Sequence, residues 1–454
     1  MNQGIFRAYD IRGEVDKDLT PEVVHQLGLG IGTYLKERGK KLLSVGRDNR
    51  LSSESFSKAL IKGLIETGAE VIDLGVVTTP LFYFSLHYLD LDGGVMVTGS
   101  HNPPSFNGFK ICEGKKAIYG EKIQEVRKII EKGEFASGTG SLSSRSLIDD
   151  YIEAIKERIK IERKLRVVID AGNGTAGLIA PRLIRELGCE VKELYCELDG
   201  RFPHHHPDPT VPEYLTDLIK TVKEGGYDLG LGFDGDADRL GVIDEKGEIV
   251  WGDKLLIIFS RDVLKRNPGA PIIFEVKCSK TLIEDIEKHG GRPVMWKTGH
   301  SLIKKKMAEI NAPLAGEMSG HLFFADNYYG FDDAIFAACR LLEILSREEK
   351  TISEHLADVP KTYFTPEIRL PCPDEIKFSV VEKAKKYFDE HYQTIDVDGV
   401  RVVFPDGWGL IRPSNTQPVI VLRFEADTEK RLNEIRKMME DKLKEFMEGH
   451  KEGR

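Results

Sequence analysis

Residues 167–173 read Val-Val-Ile-Asp-Ala-Gly-Asn, an apolar, β-branched run that passes directly into a polar loop. The residues that follow, to about Leu187, have the pattern of a helix, and residues 188–191 (Gly-Cys-Glu-Val) open a second apolar run. A glycine directly after a helix suits a left-handed cap, and the order strand, helix, strand is that of a β-α-β unit. This stretch therefore predicts an α/β fold.

The same order occurs in two further parts of the chain. One unit has strands at 42–48 and 68–72 around a helix at 53–66, and another has strands at 272–276 and 291–294 around a helix at 280–288. Each of the three units later has another apolar strand that ends on a polar loop, beginning at Thr98, Asp234 and Gly316. Ligands of α/β sheets bind beyond the carboxyl ends of strands, so we expect these loops to face one cleft.

The chain has 454 residues, more than the roughly 250–300 at which a single hydrophobic core stops growing. From about Phe364 the pattern changes to short alternating strands between two helices. We predict three tandem, similar α/β domains with mixed sheets and a C-terminal α+β domain, arranged around a central cleft. The predicted domains cover residues 1–150, 151–252, 253–363 and 364–454. Residues 133–144, rich in Gly and Ser, are predicted to be a linker.

The bulk composition excludes several classes of protein. A net charge of -9 argues against general binding to nucleic acid or to an anionic membrane. The first residues lack the pattern of a signal peptide, and no window holds about 18 uninterrupted apolar residues, so we expect a cytoplasmic protein. The six cysteines have no metal-ligand spacing and are predicted to be buried free thiols.

Three carboxylates stand at alternate positions in Asp234-Gly235-Asp236-Ala237-Asp238, directly after an apolar strand. Their mutual repulsion is unfavourable unless a cation compensates it, and carboxylate oxygens suit Mg²⁺. The alternative is an exposed acidic turn without a metal.

A second polar loop, at residues 98–104, reads Thr-Gly-Ser-His-Asn-Pro-Pro. We expect Ser100 to be exposed at the strand end, where backbone N–H groups can stabilise an attached phosphate. Without a Gly-x-Ser-x-Gly elbow, Ser100 is better suited to accept a phosphoryl group than to act in acyl transfer. A turn with only a backbone role is the alternative.

Two later loops have side chains that suit a phosphorylated sugar. Residues 412–418 (Arg-Pro-Ser-Asn-Thr-Gln-Pro) carry a guanidinium, hydroxyls and an amide that can hold a phosphate dianion, and a turn between hairpin strands is the alternative. Residues 316–321 (Gly-Glu-Met-Ser-Gly-His) have a carboxylate and a hydroxyl for sugar hydroxyls, but a helix-capping turn is the simpler interpretation.

Three other patterns are assigned no function. Residues 204–206 are adjacent histidines that cannot easily share one metal ion, so a solvated loop is predicted. The glycines of residues 171–177 do not have the spacing of a dinucleotide fingerprint. The lysines at 304–306 are predicted to lie on a solvated face.

Taken together, the four loops resemble those of the α-D-phosphohexomutase superfamily, in its phosphomannomutase/phosphoglucomutase branch. The resemblance extends from Tyr9-Asp10-Ile11-Arg12-Gly13 to the fourth domain, essentially the whole chain. It implies transfer of a phosphoryl group between the 1- and 6-positions of a hexose, through a phosphoserine and a hexose 1,6-bisphosphate. It also implies one Mg²⁺ per subunit and glucose 1,6-bisphosphate as activator.

The resemblance also implies roles for individual residues. Ser100 would carry the phosphoryl group and bind the metal together with Asp234, Asp236 and Asp238. Arg12, Lys110 and His321 are the candidates for proton transfer and charge stabilisation. Glu317 and Ser319 would hold the sugar 3- and 4-hydroxyls. The remaining substrate-binding candidates are Tyr9, Arg239, Lys277, His300, Arg412, Ser414, Asn415 and Thr416.

Several questions stay open at this point. Phosphoglucosamine mutase is an alternative within the superfamily, and a metal-dependent sugar phosphatase or a non-catalytic sugar-phosphate sensor is an alternative from another class. Hexose phosphates are the expected partners, with no nucleic acid or membrane, in a monomer or homodimer. Nothing in these loops distinguishes glucose from mannose.

Overall fold

The computed structural model describes residues 1–414 and 417–448. The first part of the chain contains seven strands and five α-helices. These elements are β1 (Ile11–Glu14), α1 (Pro21–Lys36), β2 (Leu42–Arg47), α2 (Ser53–Glu66), β3 (Glu70–Val76), α3 (Thr79–Tyr88), β4 (Gly93–Val97), β5 (Phe106–Glu113), β6 (Lys116–Ala117), α4 (Glu121–Lys132), β7 (Ser141–Ser144) and α5 (Ile148–Lys156). Local sequence sets several of the boundaries: Thr20 caps α1 ahead of Pro21, and Thr78 caps α3 ahead of Pro80.

The second and third parts of the chain also alternate strands and helices. The second has β8 (Arg166–Asp170), α6 (Ala180–Glu186), β9 (Glu190–Leu194), α7 (Thr216–Gly225), β10 (Leu229–Phe233), β11 (Leu240–Ile243) and β12 (Ile249–Val250). The third has α8 (Gly252–Arg266), β13 (Pro271–Glu275), α9 (Lys280–Lys288), β14 (Arg292–Trp296), α10 (His300–Ile310), β15 (Leu314–Gly316), β16 (Leu322–Phe324), α11 (Ala334–Ser346) and α12 (Ile352–His355).

The last part has β17 (Tyr363–Phe364), β18 (Ile368–Pro371), α13 (Asp374–His391), β19 (Gln393–Ile395), β20 (Val400–Phe404), β21 (Gly407–Pro413), β22 (Val419–Ala426) and α14 (Glu429–Glu448). Its strands form an antiparallel sheet in the order β17-β22-β21-β20-β19, with β18 also paired to β22. This is the predicted α+β part of the chain.

The predicted internal repeat is present in the sheets. Their central orders are β5-β4-β2-β3, β11-β10-β8-β9 and β16-β15-β13-β14. In each, the last three strands are parallel and the first is antiparallel to its neighbour. The three α/β parts with mixed sheets are therefore confirmed, while the domain boundaries near 150, 252 and 363 stay a prediction.

One continuous apolar core joins the three α/β sheets. It includes Phe84 and Tyr151 from the first part, Leu231 from the second, and Phe259 and Phe336 from the third. Each fully buried side chain of this size contributes about 1.5–3 kcal/mol to stability. The fourth sheet has its own core between α13, α14 and its strands, so it is packed as a separate unit.

One expectation from the sequence changes with the structure in view, and another is confirmed. The predicted linker is wrong for its last four residues, because Ser141–Ser144 form β7, a fully exposed edge strand parallel to β3. All six cysteines are free and buried, as predicted. The helices of residues 1–414 and 417–448 include none with the length and apolar character of a membrane span.

Candidate active site

Four functional loops lie at equivalent places in their sheets. Each connects a strand to its antiparallel neighbour: β4 to β5, β10 to β11, β15 to β16 and β21 to β22. Glu317 and His321 therefore lie in a hairpin turn, and the helix-capping interpretation of residues 316–321 is wrong. In the three repeats the loop follows the same strand, so these three loops can converge when the units pack together.

The serine loop, residues 98–105, carries Ser100 in a left-handed backbone conformation with a φ of 48°. Its Oγ lies 2.8 Å from Oδ2 of Asp234 and 3.1 Å from Nδ1 of His101. The expected exposure of Ser100 is wrong, since only 3% of the residue is accessible beneath the acidic loop. A non-glycine residue with positive φ is uncommon and is often found at functional sites.

Arg50 binds the backbone of the serine loop through hydrogen bonds. Its guanidinium donates to the carbonyl oxygens of Ser100 at 2.7 Å and Asn102 at 2.6 Å, and to Asp48 at 3.1 Å. It also donates to the carbonyls of Pro103 and Phe106. The planar fork thus satisfies three carbonyls of the loop and that of Phe106 at the start of β5, which fixes the backbone around Ser100.

The acidic loop, residues 234–238, brings three carboxylates together. Oxygens of Asp234, Asp236 and Asp238 lie within 4.8 Å of one another, and the residues are at most 1% exposed. The alternative of an exposed acidic turn is therefore wrong. Oδ1 of Asp236 and Oδ1 of Asp238 are buried without a hydrogen-bond partner among the described residues. Three converging carboxylates with unsatisfied oxygens fit a hard divalent cation.

The protonation of this cluster reflects the same crowding. Burial and the charges of Asp238 and Asp236 raise the pKa of Asp234 well above its ordinary value. Burial also disfavours the charged form of Asp236, but the charge of Lys110 and the hydrogen bonds from Lys110 and Thr79 lower the pKa of Asp236. Positive charge is therefore what this loop requires.

Lys110 supplies part of that charge from β5. Its Nζ lies 2.7 Å from Oδ2 of Asp236 and 2.5 Å from Oδ2 of Asp238. Burial alone would lower the pKa of Lys110, yet these carboxylates raise it, so the side chain is cationic. Thr79, at the start of α3, donates from Oγ1 to the same oxygen of Asp236 at 2.6 Å.

His321 joins the third unit to the acidic loop. Its Nε2 accepts a hydrogen bond from Nε of Arg239 at 3.0 Å, and its Nδ1 lies 3.7 Å from Asp238. Arg12 approaches the serine loop from β1, where it donates to Oδ1 of Asn102 at 3.0 Å. All three proposed groups for proton transfer or charge stabilisation, Arg12, Lys110 and His321, therefore contact the serine or acidic loop.

A second polar network surrounds Thr298 and Glu317. One Glu317 oxygen accepts from the backbone N–H of Gly299 at 2.6 Å, and the other lies 3.4 Å from Oγ of Ser319. The hydroxyl of Tyr9, from the first unit, donates to the carbonyl of Thr298 at 3.1 Å. The ring of Tyr9 is 6.5 Å from that of His300, which connects this network to His321.

The fourth unit contributes the loop at residues 412–418. Arg412 pairs with Asp398 at 2.9 Å, and Asp398 also accepts from the backbone N–H of Thr298. Ser414 accepts from the N–H of Gln417 at 3.1 Å, and Lys277 bonds Glu367 at 3.1 Å. Asn415 and Thr416 lie outside the described residues.

Three contributing residues were not identified from the sequence: Arg50, Thr79 and Asp332. Arg50 and Thr79 each follow the carboxyl end of a parallel strand, β2 and β3, and that position is the signal that points to them. Asp332, a buried partner of His321, precedes α11 and has no comparable local signal.

Comparison with known proteins agrees with this geometry. Family models described as phosphoglucomutase/phosphomannomutase match residues 3–137 (alpha/beta/alpha domain I), 149–247 (domain II), 251–363 (domain III) and 367–442 (C-terminal domain). The chain is 50% identical over 443 residues to a phosphomannomutase/phosphoglucomutase of Pseudomonas aeruginosa, covering 97% of this chain and 95% of that protein.

Further relatives have the same character. A phosphoglucomutase of Neisseria gonorrhoeae is 46% identical over 440 residues, covering 96% of this chain and 95% of that protein. A crystal structure of a phosphoglucomutase/phosphomannomutase family protein from Burkholderia thailandensis superposes with a TM-score of 0.93 at 44% identity, covering 98% of both chains. The chain belongs to the phosphoglucomutase/phosphomannomutase family.

Proposed function

We propose that this protein interconverts the 1-phosphates and 6-phosphates of mannose and glucose through a phosphorylated Ser100. The observation that carries the proposal is the 2.8 Å contact between Ser100 Oγ and Asp234, one of three converging carboxylates. A serine hydroxyl beside a site for a divalent cation suits phosphoryl transfer, in which positioning and charge neutralisation supply most of the catalysis.

The proposed reaction consists of two matched transfers. In the first, the bond between phosphorus and the Ser100 oxygen breaks while a bond to the free sugar hydroxyl forms, and that hydroxyl loses its proton. The resulting 1,6-bisphosphate turns over within the site, and its other phosphate returns to Ser100. Glucose 1,6-bisphosphate would activate the enzyme by loading Ser100 directly.

One Mg²⁺ per subunit, held by Asp234, Asp236, Asp238 and the phosphoserine, would neutralise the charge of the phosphoryl group. Lys110 and Arg12 add positive charge, and His321 is the candidate for exchanging the proton with the sugar hydroxyl. The clamp of Arg412, Ser414, Asn415 and Thr416 would hold the phosphate that does not react. Glu317 and Ser319 would hold sugar hydroxyls, while Tyr9, Arg239, Lys277 and His300 line the site.

We further propose that the protein is a monomer or homodimer. A location in the cytoplasm is also proposed, and it is consistent with six buried cysteine thiols that form no disulfide. A phosphatase is a weaker candidate, because hydrolysis does not require separate loops for the sugar and for a distant phosphate. A phosphoglucosamine mutase would differ only in the sugar that it prefers, and the assay described next distinguishes the two activities.

The test is a coupled mutase assay with Mg²⁺ and a trace of glucose 1,6-bisphosphate. Glucose 1-phosphate, mannose 1-phosphate and glucosamine 1-phosphate are compared for wild type, Ser100→Ala and Ser105→Ala, whose exposed serine lies in the same loop. We expect turnover of the glucose and mannose substrates, lost by several orders of magnitude in Ser100→Ala alone. Full activity of Ser100→Ala, or rapid release of inorganic phosphate by wild type, would contradict the proposal.

A further inference from the structure

Asp332 is a buried carboxylate between the two histidines of the site. It precedes Asp333, the N-cap of α11, forms an isolated β-bridge with Phe323 and has no accessible surface. Its Oδ2 lies 3.2 Å from Nδ1 of His321 and 3.7 Å from Nδ1 of His300. Both imidazoles therefore place the same ring nitrogen near one carboxylate oxygen, although neither contact is an aligned hydrogen bond.

The other ring nitrogen of His321 identifies where the proton resides. Nε of Arg239 can only donate, and it donates to Nε2 of His321 at 3.0 Å. Nε2 must therefore carry a lone pair, which places the proton of the neutral ring on Nδ1. Nδ1 lies 3.2 Å from Oδ2 of Asp332, and neither atom has an aligned hydrogen-bond partner among the described residues, so each is the nearest available partner of the other.

Lys304 supplies the opposite charge that Asp332 needs in a buried position. Its Nζ lies 2.7 Å from Oδ1 of Asp332 and 4.0 Å from the centre of the Tyr83 ring. The side chain of Lys304 is only 16% exposed, so the expected solvated face for the lysine run is wrong at this position. The carboxylate is thereby kept ionised, and its second oxygen remains available to the histidines.

We propose that Asp332 is a positioning residue that fixes the ring of His321, keeping the proton on Nδ1 and the basic lone pair on Nε2. The proposal rests on the proposed mutase function, in which His321 exchanges a proton with the sugar hydroxyl. An imidazole without such a partner can rotate or change tautomer, and its basic nitrogen is then misplaced. Arg239 would release Nε2 when its guanidinium turns to a substrate phosphate.

The variant Asp332→Asn tests this role, with Asp262→Asn as a matched control. Asp262 is another buried carboxylate, 4% exposed, in α8, and it is paired with Arg266, Arg340 and Arg347. We expect kcat of Asp332→Asn to fall about 10²–10⁴-fold, the range for loss of a correctly oriented acid or base, with KM changed less than about twofold. Asp262→Asn should lower the midpoint of thermal unfolding without lowering kcat.

A spectroscopic measurement tests the proposal without requiring turnover. In ¹⁵N-histidine-labelled wild type, the signals lost in His321→Asn should show the tautomer with the proton on Nδ1. Those signals should move toward the other tautomer, or toward an average of both, in Asp332→Asn. If wild type has no mutase activity, the proposed function fails, while the tautomer of His321 still decides the role of Asp332.

Three results would overturn the proposal. One is a proton on Nε2 of His321 in the wild-type spectrum. Another is an effect of Asp332→Asn on KM alone, with kcat unchanged, or a loss of kcat that Asp262→Asn reproduces. The third concerns a metal, because Asp238, His321 and Asp332 offer atoms within 4.8 Å of one another. Stoichiometric zinc retained by purified wild type and lost in Asp332→Asn would assign Asp332 to a metal instead.

Discussion

Single side chains of the site are held by partners from other parts of the chain. Asp236 accepts from Thr79 of the first unit, and Ser100 contacts Asp234 of the second. The acidic loop is therefore oriented by hydrogen bonds that its own sequence does not contain. Removal of such a partner should change metal affinity without removing any metal ligand.

Thr79→Val tests this dependence. Valine keeps the shape of the side chain but cannot donate to Asp236, so we expect the affinity for Mg²⁺ to fall roughly 10-fold. The measurement is the Mg²⁺ dependence of the mutase rate, supported by calorimetric titration. Thr33→Val is the control, since Thr33 is also buried and donates to a carbonyl, that of Leu29, within α1. Unchanged Mg²⁺ dependence in Thr79→Val would show that the acidic loop orients itself.

His205 predicts a pH dependence of stability. Burial alone would lower its pKa, but the hydrogen bond and charge of Asp170, 3.0 Å away, outweigh burial and raise it. The stabilisation is therefore complete below pH 6.5, the ordinary pKa, and is lost as pH rises through the higher pKa of the folded state. The predicted solvated loop is wrong for His205, whose side chain is 13% exposed.

Urea unfolding at several pH values from 5.5 to 8.5 measures this effect. We expect the free energy of unfolding of wild type to decrease above about pH 6.5, and the decrease to be smaller in His205→Asn. His204→Asn, which alters an exposed ring stacked on Tyr195, is the control. Identical slopes for wild type and His205→Asn would contradict the prediction.

The elements of the site show which parts of it can be predicted from sequence. Asp234, Ser100, Glu317 and Arg412 were identified because each lies in or beside a loop at a strand end, and strand ends can be recognised from apolar periodicity. The burial of Ser100 was not predicted, because it depends on packing between two units. Arg50 follows the end of β2, but its contacts with the serine loop are not visible in the sequence, and Asp332 has no local pattern of its own.

Arg50→Lys tests how far the serine loop depends on one guanidinium. Lysine keeps the charge but cannot reach four carbonyls, so part of the loop backbone loses its donors. We expect kcat to fall roughly 100-fold, the effect of a misplacement of about 1 Å, with a smaller change in KM.

The control for Arg50→Lys is Arg340→Lys, at a guanidinium that is 4% exposed and bonded to Asp262 and Asp326. It should lower stability and leave kcat unchanged. Equal kcat losses in both variants would indicate a general loss of folded protein. The comparison therefore separates an effect on the geometry of the serine loop from a general effect on protein stability.

The molecule as a whole consists of two differently packed parts. One core joins the three α/β sheets, which also have clusters of their own, whereas the fourth sheet is outside that core and meets the third unit through a small apolar cluster of Val276, Trp408 and Leu410. Arg401 covers the Trp408 ring at 3.7 Å and donates to the carbonyls of Val276 and Cys278. The repeat predicted the number of sheets, but this unequal packing depends on side chains that meet only in the folded chain.

We therefore expect the fourth unit to unfold before the rest. Trp251→Phe/Trp296→Phe leaves Trp408 as the single tryptophan, and its fluorescence reports the junction. Its urea transition should precede the loss of far-ultraviolet circular dichroism, because few apolar contacts hold the unit in place. Trp251→Phe/Trp408→Phe, in which Trp296 reports the third unit, is the control and should follow the later transition.

Hexose phosphate should bring the two transitions together. Arg412 from the fourth unit and Lys277 from the third are both proposed to bind it, so a ligand that needs both stabilises their junction by mass action. Ser100→Ala permits the measurement without turnover. Transitions that coincide in the absence of ligand would show that the fourth unit is an integral part of one cooperative fold. Separate transitions that ligand does not shift would show that the clamp loop does not take part in binding.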